Sequence, residues 1–219
     1  MITADLTATR VVLEDGSTAM AYPWRGGDVT VRDSAADGLR VILAFRDRTM
    51  DETAKALAII PLIFLDPDAA WLACDYDPTA FGELIRGVCL DVYGLDVGGG
   101  HTEEPFWDPE EDAALIRTSL RQAYGIDWDR DRDRMAWGEF CALVQTLPME
   151  TPLGAMIHYR NPATKPKATR HNAAMREEWD RLHRLCALKD VRDGAGGVES
   201  QARAMDDMAA ALSAAADRR

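Results

Sequence analysis

Up to Arg32 the apolar positions fall in short runs. Arg10-Val11-Val12-Leu13 comes first, Thr18 to Tyr22 follows the turn residues Glu14-Asp15-Gly16-Ser17, and Asp28 to Arg32 follows Gly26-Gly27. Runs of this length bounded by Gly, Asp and Ser predict strands, so residues 1–33 are expected to form a small β element. Beyond Arg32 the period lengthens. Phe81, Leu84, Ile85, Val88 and Val92 make one stripe, Ala113, Ile116, Leu120, Ala123 and Tyr124 a second, Trp137, Phe140, Cys141, Val144 and Leu147 a third, and Met175, Trp179, Leu182 and Cys186 a fourth. Spacing of three and four predicts amphipathic helices, each burying its stripe against the others.

Polar punctuation marks where these helices begin. Ser34 with Asp37, and Thr49 with Glu52, have the spacing of a capping box, in which a hydroxyl accepts from a free backbone amide. Asp77-Pro78, Asp108-Pro109 with Glu111, and Thr151-Pro152 set a capping side chain before a proline, whose missing N–H costs nothing at the first helical position. Gly82, Gly87, Gly138 and Gly154 lie in or near helical patterns, where each costs about 1 kcal/mol relative to alanine. Close backbone packing is one reason to carry them. Asn161 to Asn172, with Pro162, Pro166 and the bases Lys165, Lys167 and Arg170, is expected to be an exposed connection.

After Asp193-Gly194-Ala195-Gly196-Gly197, residues 198–219 carry Val198, Ala202, Met205, Met208, Ala209 and Leu212 at helical spacing. They read as a tethered amphipathic helix, which either docks on its own core or captures a partner helix through its pliable methionines. The fold expected is mainly α: a multi-helix bundle at 34–192, a small N-terminal β element at 1–33 and the tethered C-terminal helix at 198–219.

Charge narrows the function. The chain has 219 residues with a formal net charge of -12 and a pI near 4.7. Nucleic-acid binding depends on Lys and Arg displacing counterions, so no nucleic-acid partner is expected. Cys74, Cys89, Cys141 and Cys186 are far apart within apolar patterns and read as buried reduced thiols, as a reducing cytoplasm allows. The N-terminus lacks the pattern of a secretory signal, and the greasiest run, Leu57 to Leu65, is interrupted by Pro61 and far short of the ~20 residues a bilayer needs. No membrane association is expected.

Three segments suggest chemistry and fall short of it. Asp127-Trp128-Asp129-Arg130-Asp131-Arg132-Asp133 alternates acids as a calcium loop does. Such a loop needs glycine at its sixth position and glutamate at its twelfth, and those positions hold Arg132 and Gly138. The interleaved arginines are expected to neutralise the acids instead. Gly98-Gly99-Gly100 lacks the lysine and hydroxyl of a phosphate-binding loop and reads as a linker. His101, His158, His171 and His183 have no zinc-protease spacing, and no serine sits in a nucleophile elbow. The expectation is a protein without catalytic activity and without cofactor or metal.

The segment from Phe106 to Arg160 supplies a more specific pointer. Asp108 and Asp112 lead a helix that runs through Ile116 to Tyr124. The turn Tyr124-Gly125-Ile126-Asp127 follows, then Met135-Ala136-Trp137-Gly138-Glu139-Phe140, Leu143 through Leu147, Thr151, and Ile157-His158-Tyr159-Arg160. In this order the segment resembles the bacteriophage gene product fifteen family, tail-region proteins of siphophages. There a helix ends in a similar Tyr-Gly-Ile-Asp turn, a Trp and Phe helix comes next, and a Tyr-Arg pair precedes a basic loop and a last helix. The turn has an architectural reading as well, since Gly125 suits a left-handed helix end and Ile126 returns the chain to the core.

The resemblance implies a tail assembly protein similar to tail assembly chaperones, acting in the host bacterial cytoplasm during virion morphogenesis. Its implied partners are the phage tape-measure protein and, further, the tail-tube protein, with a homo-oligomer left open. A structural tail completion or connector subunit retained in the virion is the alternative. The partner-binding candidates are Lys165, Lys167 and Arg170 in the basic loop and Met205, Met208 and Leu212 in the tethered helix.

Overall fold

A computed structural model describes residues 10–47, 49–95 and 106–188, apart from the side chains of residues 52, 53 and 56. The described residues are mainly helical, with a small antiparallel sheet at the N-terminal end. Residue contacts divide them into two compact units. Unit 1 comprises residues 10–95 and 129–142, and unit 2 residues 106–128 and 143–188.

Strands β1 (Arg10–Val12), β2 (Thr18–Trp24) and β3 (Gly27–Arg32) form the sheet in the order β1-β2-β3, with Arg10 opposite Met20 and Ala19 opposite Arg32. The expected strands are all present. The first turn is closed by the Asp15 carboxylate, which accepts from the Ser17 N–H at 2.9 Å and the Ser17 hydroxyl at 2.6 Å. The second is a two-residue hairpin, Arg25-Gly26, with both residues at positive φ (46° and 87°). That geometry matches the twist of the flanking strands.

Unit 1 continues with α1 (Ala35–Arg46), α2 (Glu52–Ile63), α3 (Pro67–Leu72) and α4 (Pro78–Asp91). Ser34 caps α1, accepting from the Asp37 N–H at 3.1 Å. Its hydroxyl in turn donates to the Asp37 carboxylate at 2.7 Å, so the acid holds the cap through the side chain. The expected cap at Thr49 is displaced by two residues. Asp51 caps α2 and accepts from the Ala54 N–H, while Thr49 donates its hydroxyl to Asp47. An ionised carboxylate adjoining the helix is the stronger acceptor there, and it complements the positive end of the helix dipole. Asp66 and Asp77 cap α3 and α4 ahead of prolines. Pro61 sits inside α2, which runs on to Ile63 and buries Ile59, Ile60 and Ile63.

The stripe on α4 is buried throughout, from Phe81 to Val92. Phe81 packs its ring against Phe64 and Trp71, at centroid distances of 5.7 and 4.9 Å. Trp137 is 1% exposed and stacks on Phe140 with ring centroids 5.4 Å apart, and its indole N–H donates to the Tyr93 carbonyl at 3.4 Å. A Cβ on Gly38 would lie 2.2 Å from the Trp137 ring, so only glycine lets α1 approach it. The backbone around Trp137 locks to the start of α1. The Ala35 N–H donates to Met135 O (2.7 Å), Ala36 N–H to Arg132 O (3.1 Å), and Trp137 N–H to Asp33 O (2.6 Å). Gly87 and Gly154 also lie where a Cβ would clash, with the Tyr22 hydroxyl and the Pro148 carbonyl.

The remaining helices are α5 (Ala113–Tyr124), α6 (Trp128–Asp131), α7 (Trp137–Gln145), α8 (Pro152–Arg160) and α9 (Ala173–Cys186), the division between units falling within α6 and α7. In unit 2, Thr151 caps α8 as expected, and α8 packs on α5 and on α9. The Ser119 hydroxyl, buried on α5, accepts from the Leu153 N–H at 2.9 Å. Gly125 ends α5 at φ 68°, its N–H on Arg121 O, and Ile126 turns back to Leu120 O.

The expected start at Asp108-Pro109 is a correction. α5 begins at Ala113, and Asp108 instead braces a turn, accepting from the N–H groups of Glu110 and Glu111 at 2.8 and 2.7 Å. Asp112, at the head of α5, makes no side-chain cap because its carboxylate is engaged elsewhere.

Candidate functional site

The basic loop of unit 2 is built by its own side chains. The Thr164 hydroxyl bonds to the His158 and Asn161 carbonyls at 2.6 and 2.8 Å, and Asn172 accepts from the Thr169 N–H while donating to the Lys167 carbonyl. The Arg176 guanidinium donates to the Pro166 carbonyl. Lys165 reaches across to α9. Its ammonium lies 2.6 and 2.8 Å from the two Asp180 oxygens and 5.6 Å from the centre of the Trp179 ring. Hydrogen bonding from Lys165 holds the Asp180 carboxyl below its ordinary range. His183 stacks on the same Trp179 ring at 4.8 Å, with Nδ1 2.6 Å from the Tyr159 carbonyl.

The sequence-derived candidates therefore separate. Lys165 is half-buried and serves to seat the loop on α9, whereas Lys167 and Arg170 are exposed. Beside them α9 exposes Met175 (61%) and Leu185 (60%), the latter a residue that the periodicity did not single out. Met175 was expected to be core and lies at the surface. Met205, Met208 and Leu212 lie outside the described residues, as do the 198–219 segment and the Gly98-Gly99-Gly100 run.

Beneath this surface is a buried ion pair that sequence reasoning missed. Arg160, at the end of α8, and Asp112, at the head of α5, have side chains 4% and 1% exposed. The guanidinium donates to both Asp112 oxygens, at 2.5 and 3.0 Å, to the Phe106 carbonyl at 3.1 Å and, through Nε, to the Cys186 carbonyl at 2.6 Å. Asp112 also accepts from the Asp108 N–H at 2.8 Å. One side chain thus ties together the three helices and the segment leading into α5. Both residues were noted in the resemblance, but no local pattern joins positions 48 residues apart.

Unit 1 has a polar recess of about 250 Å³ lined by Asp15, Ser17, Arg32, Asp37, Arg40 and Asp133. Arg40 donates to Asp37 at 2.8 Å, and the Ser17 bonds hold the Asp15 carboxyl below its usual range. Charges of both signs face one another, and Asp15 is ionised at neutral pH, unable to donate a proton. Along the former calcium-like stretch, Arg130 pairs with Asp131 at 2.7 Å and Arg132 lies 3.5 Å from Asp133 and 3.9 Å from Asp129, while Arg121 pairs with Asp127. The arginines neutralise the acids as their interleaving suggested.

Among the described residues, no cluster of His, Cys, Asp and Glu is arranged to hold a metal ion. The four cysteines are free thiols. Cys74, Cys89 and Cys141 are buried, and Cys186 is half-buried. Burial pushes the Cys89 and Cys141 thiols up to about 12, which leaves them protonated and poorly nucleophilic.

These features define a mainly helical protein with a small N-terminal antiparallel sheet and a buried Arg160–Asp112 ion pair. The model of the family described as Bacteriophage Gp15 protein matches residues 30–188, and the chain belongs to that family. It is a bacteriophage protein of a structural or morphogenesis kind. No curated protein and no solved structure matches it. No described helix is long and apolar enough to cross a membrane.

Proposed function

We propose that this protein is a non-catalytic tail assembly chaperone that binds the phage tape-measure protein in the host cytoplasm while the tail forms. The observation that carries the reading is the surface of unit 2, where exposed Lys167 and Arg170 adjoin a helix that leaves Met175 and Leu185 uncovered. Apolar anchors on a helix face beside fixed positive charge suit an amphipathic partner helix with acidic flanks. The Arg160–Asp112 tie and the Lys165–Asp180 pair keep that surface in shape before a partner arrives, which lowers the ordering cost of binding.

Co-expression with the tape-measure protein of the same phage tests this directly. The chaperone reading expects more soluble tape measure and a co-purifying complex, weakened by charge reversal at Lys167 and Arg170. Unchanged solubility with no complex rejects it. Mass spectrometry of purified virions separates the alternative, because a completion or connector subunit is retained in stoichiometric amount and a chaperone is not.

A further inference from the structure

Helix α3 of unit 1 turns an apolar stripe outward. Its inner side is anchored, with Ala70 buried and the Trp71 ring edge-on to Phe81. On the outer side Ala69, Leu72 and Ala73, followed by Tyr76, have the three-and-four spacing of a buried face, yet all four are exposed, Leu72 by 57% and Tyr76 by 60%. The end of the helix fixes how Tyr76 is presented. The Asp75 N–H donates to the Leu72 carbonyl at 2.9 Å and the Tyr76 N–H to the Trp71 carbonyl at 3.2 Å, a closure that takes a left-handed residue at 75. Asp75 supplies it at φ 54°, but Tyr76 is left-handed as well, at φ 58°, which disfavours a bulky side chain. Its ring leans edge-on against Trp71, centroids 6.3 Å apart, and more than half of the residue stays open to solvent.

The charge at both ends of the stripe selects what covers it. Asp66 and Asp68 precede it, Asp75 and Asp77 close it, and all four are exposed. No Lys or Arg occurs in residues 56–85, and Arg25, which faces Cys74 of this segment, pairs with Glu83 at 3.7 Å. A phosphate-bearing partner is repelled, and a second copy laid on the same stripe would set these carboxylates against their like. A helix with Arg or Lys on both sides of an apolar seam suits the aspartates and the stripe together, and the methyl groups of Ala69 and Ala73 let it approach closely on either side of Leu72.

We propose that the outer face of α3 with Tyr76 docks a basic amphipathic helix of another protein, the apolar seam of that helix on Leu72 and Tyr76 and its bases on the flanking aspartates. This surface is opposite in charge to the one at Lys167 and Arg170 and takes a different kind of segment. A photo-crosslinking benzoylphenylalanine at position 76 of the full-length chain, in phage-producing cells, captures what lies on the stripe, and mass spectrometry reads the captured segment. The same group at position 90, where Leu90 is 51% exposed on α4, is the reference. A segment of net positive charge, captured from position 76 and not from position 90, is expected. Made as a labelled peptide, that segment should bind the chain less tightly as salt rises, and Leu72→Ser or Tyr76→Asn should each weaken it by about tenfold or more. Both changes preserve every charge, and Asn accepts the left-handed backbone at 76, so the loss reports the stripe rather than the fold. No capture above the reference, capture of a neutral or acidic segment or of a second copy, or an affinity that both substitutions leave unchanged overturns the proposal.

Discussion

Replacing Arg160 by Met tests the architecture at its most demanding point. The apolar stem of Arg160 is largely kept, while the guanidinium and all its bonds are lost. Asp112, 1% exposed, then keeps only the Asp108 N–H among the bonds described for its side chain. Removing one partner of a buried pair costs about 3–5 kcal/mol because the other charge is left without compensation. Against a typical domain stability of about 5–15 kcal/mol, that is a large share. The cost should fall on unit 2, so hydrogen exchange read peptide by peptide suits it, with α4 as internal reference. Amides of α5, α8 and α9 are expected to exchange faster by about a hundredfold to several thousandfold. The double variant Asp112→Leu with Arg160→Met carries no stranded charge and should cost less than the two single changes added together, by about 1–3 kcal/mol. Exchange in α8 and α9 that stays at the parent rate, or single costs that simply add, would refute the reasoning.

Other expectations follow from the same contacts. Gly38→Ala sets a methyl 2.2 Å from the Trp137 ring and should lower the stability of unit 1 by about 1–3 kcal/mol, seen as a lower melting temperature, since neither ring nor helix can shift freely. Asp180 is held below its ordinary carboxyl value by Lys165, so the stability from this pair is present above the unfolded value of about 4 and lost as pH falls through the folded one. Acid titration followed by the fluorescence of Trp179 should show that transition, and Lys165→Met should abolish it. Alkylation of the native protein at neutral pH should label Cys186 ahead of Cys89 and Cys141, which are more deeply buried; mass spectrometry of the labelled peptides checks the order. Charge reversal at Lys167 and Arg170 should leave the melting temperature within about 0.5 kcal/mol equivalent of the parent, as surface changes do, while weakening partner capture.

Much of the fold was legible because it is written in short-range terms. The three strands, the buried face of α4 and the caps at Ser34, Asp77 and Thr151 each depend on residues within a turn or two of one another. The failures share a cause. Thr49 and Asp108 satisfy a capping pattern, but the outcome depended on which nearby acceptor won, Asp51 in one case, and on Asp112 being drawn away by Arg160 in the other. Met175 has helical spacing, yet its exposure depends on what packs against α9. Of the candidate surface, the basic loop was legible in composition, while the turning of Lys165 onto Asp180 required the tertiary fold.

Two of the stretches that carry the family resemblance have a physical reading in the fold of each unit. The Met135 to Phe140 stretch locks onto the start of α1 and fills the space Gly38 leaves, while the Tyr159-Arg160 pair ends α8 with the tie that holds unit 2. Each is spent on packing inside one unit, so a chain that keeps them keeps its architecture whatever it binds. On the proposed reading, partner choice rests on residues outside these stretches, such as Lys167, Arg170, Met175 and Leu185, which are exposed. Linear truncation is a poor way to find them, because residues 129–142 belong to unit 1 but lie between two stretches of unit 2. A cut that removes them takes Trp137 from one core and severs the other, and the resulting loss of binding would report unfolding. Surface substitutions that leave exchange at α5, α8 and α9 unchanged are the changes that can locate a binding site.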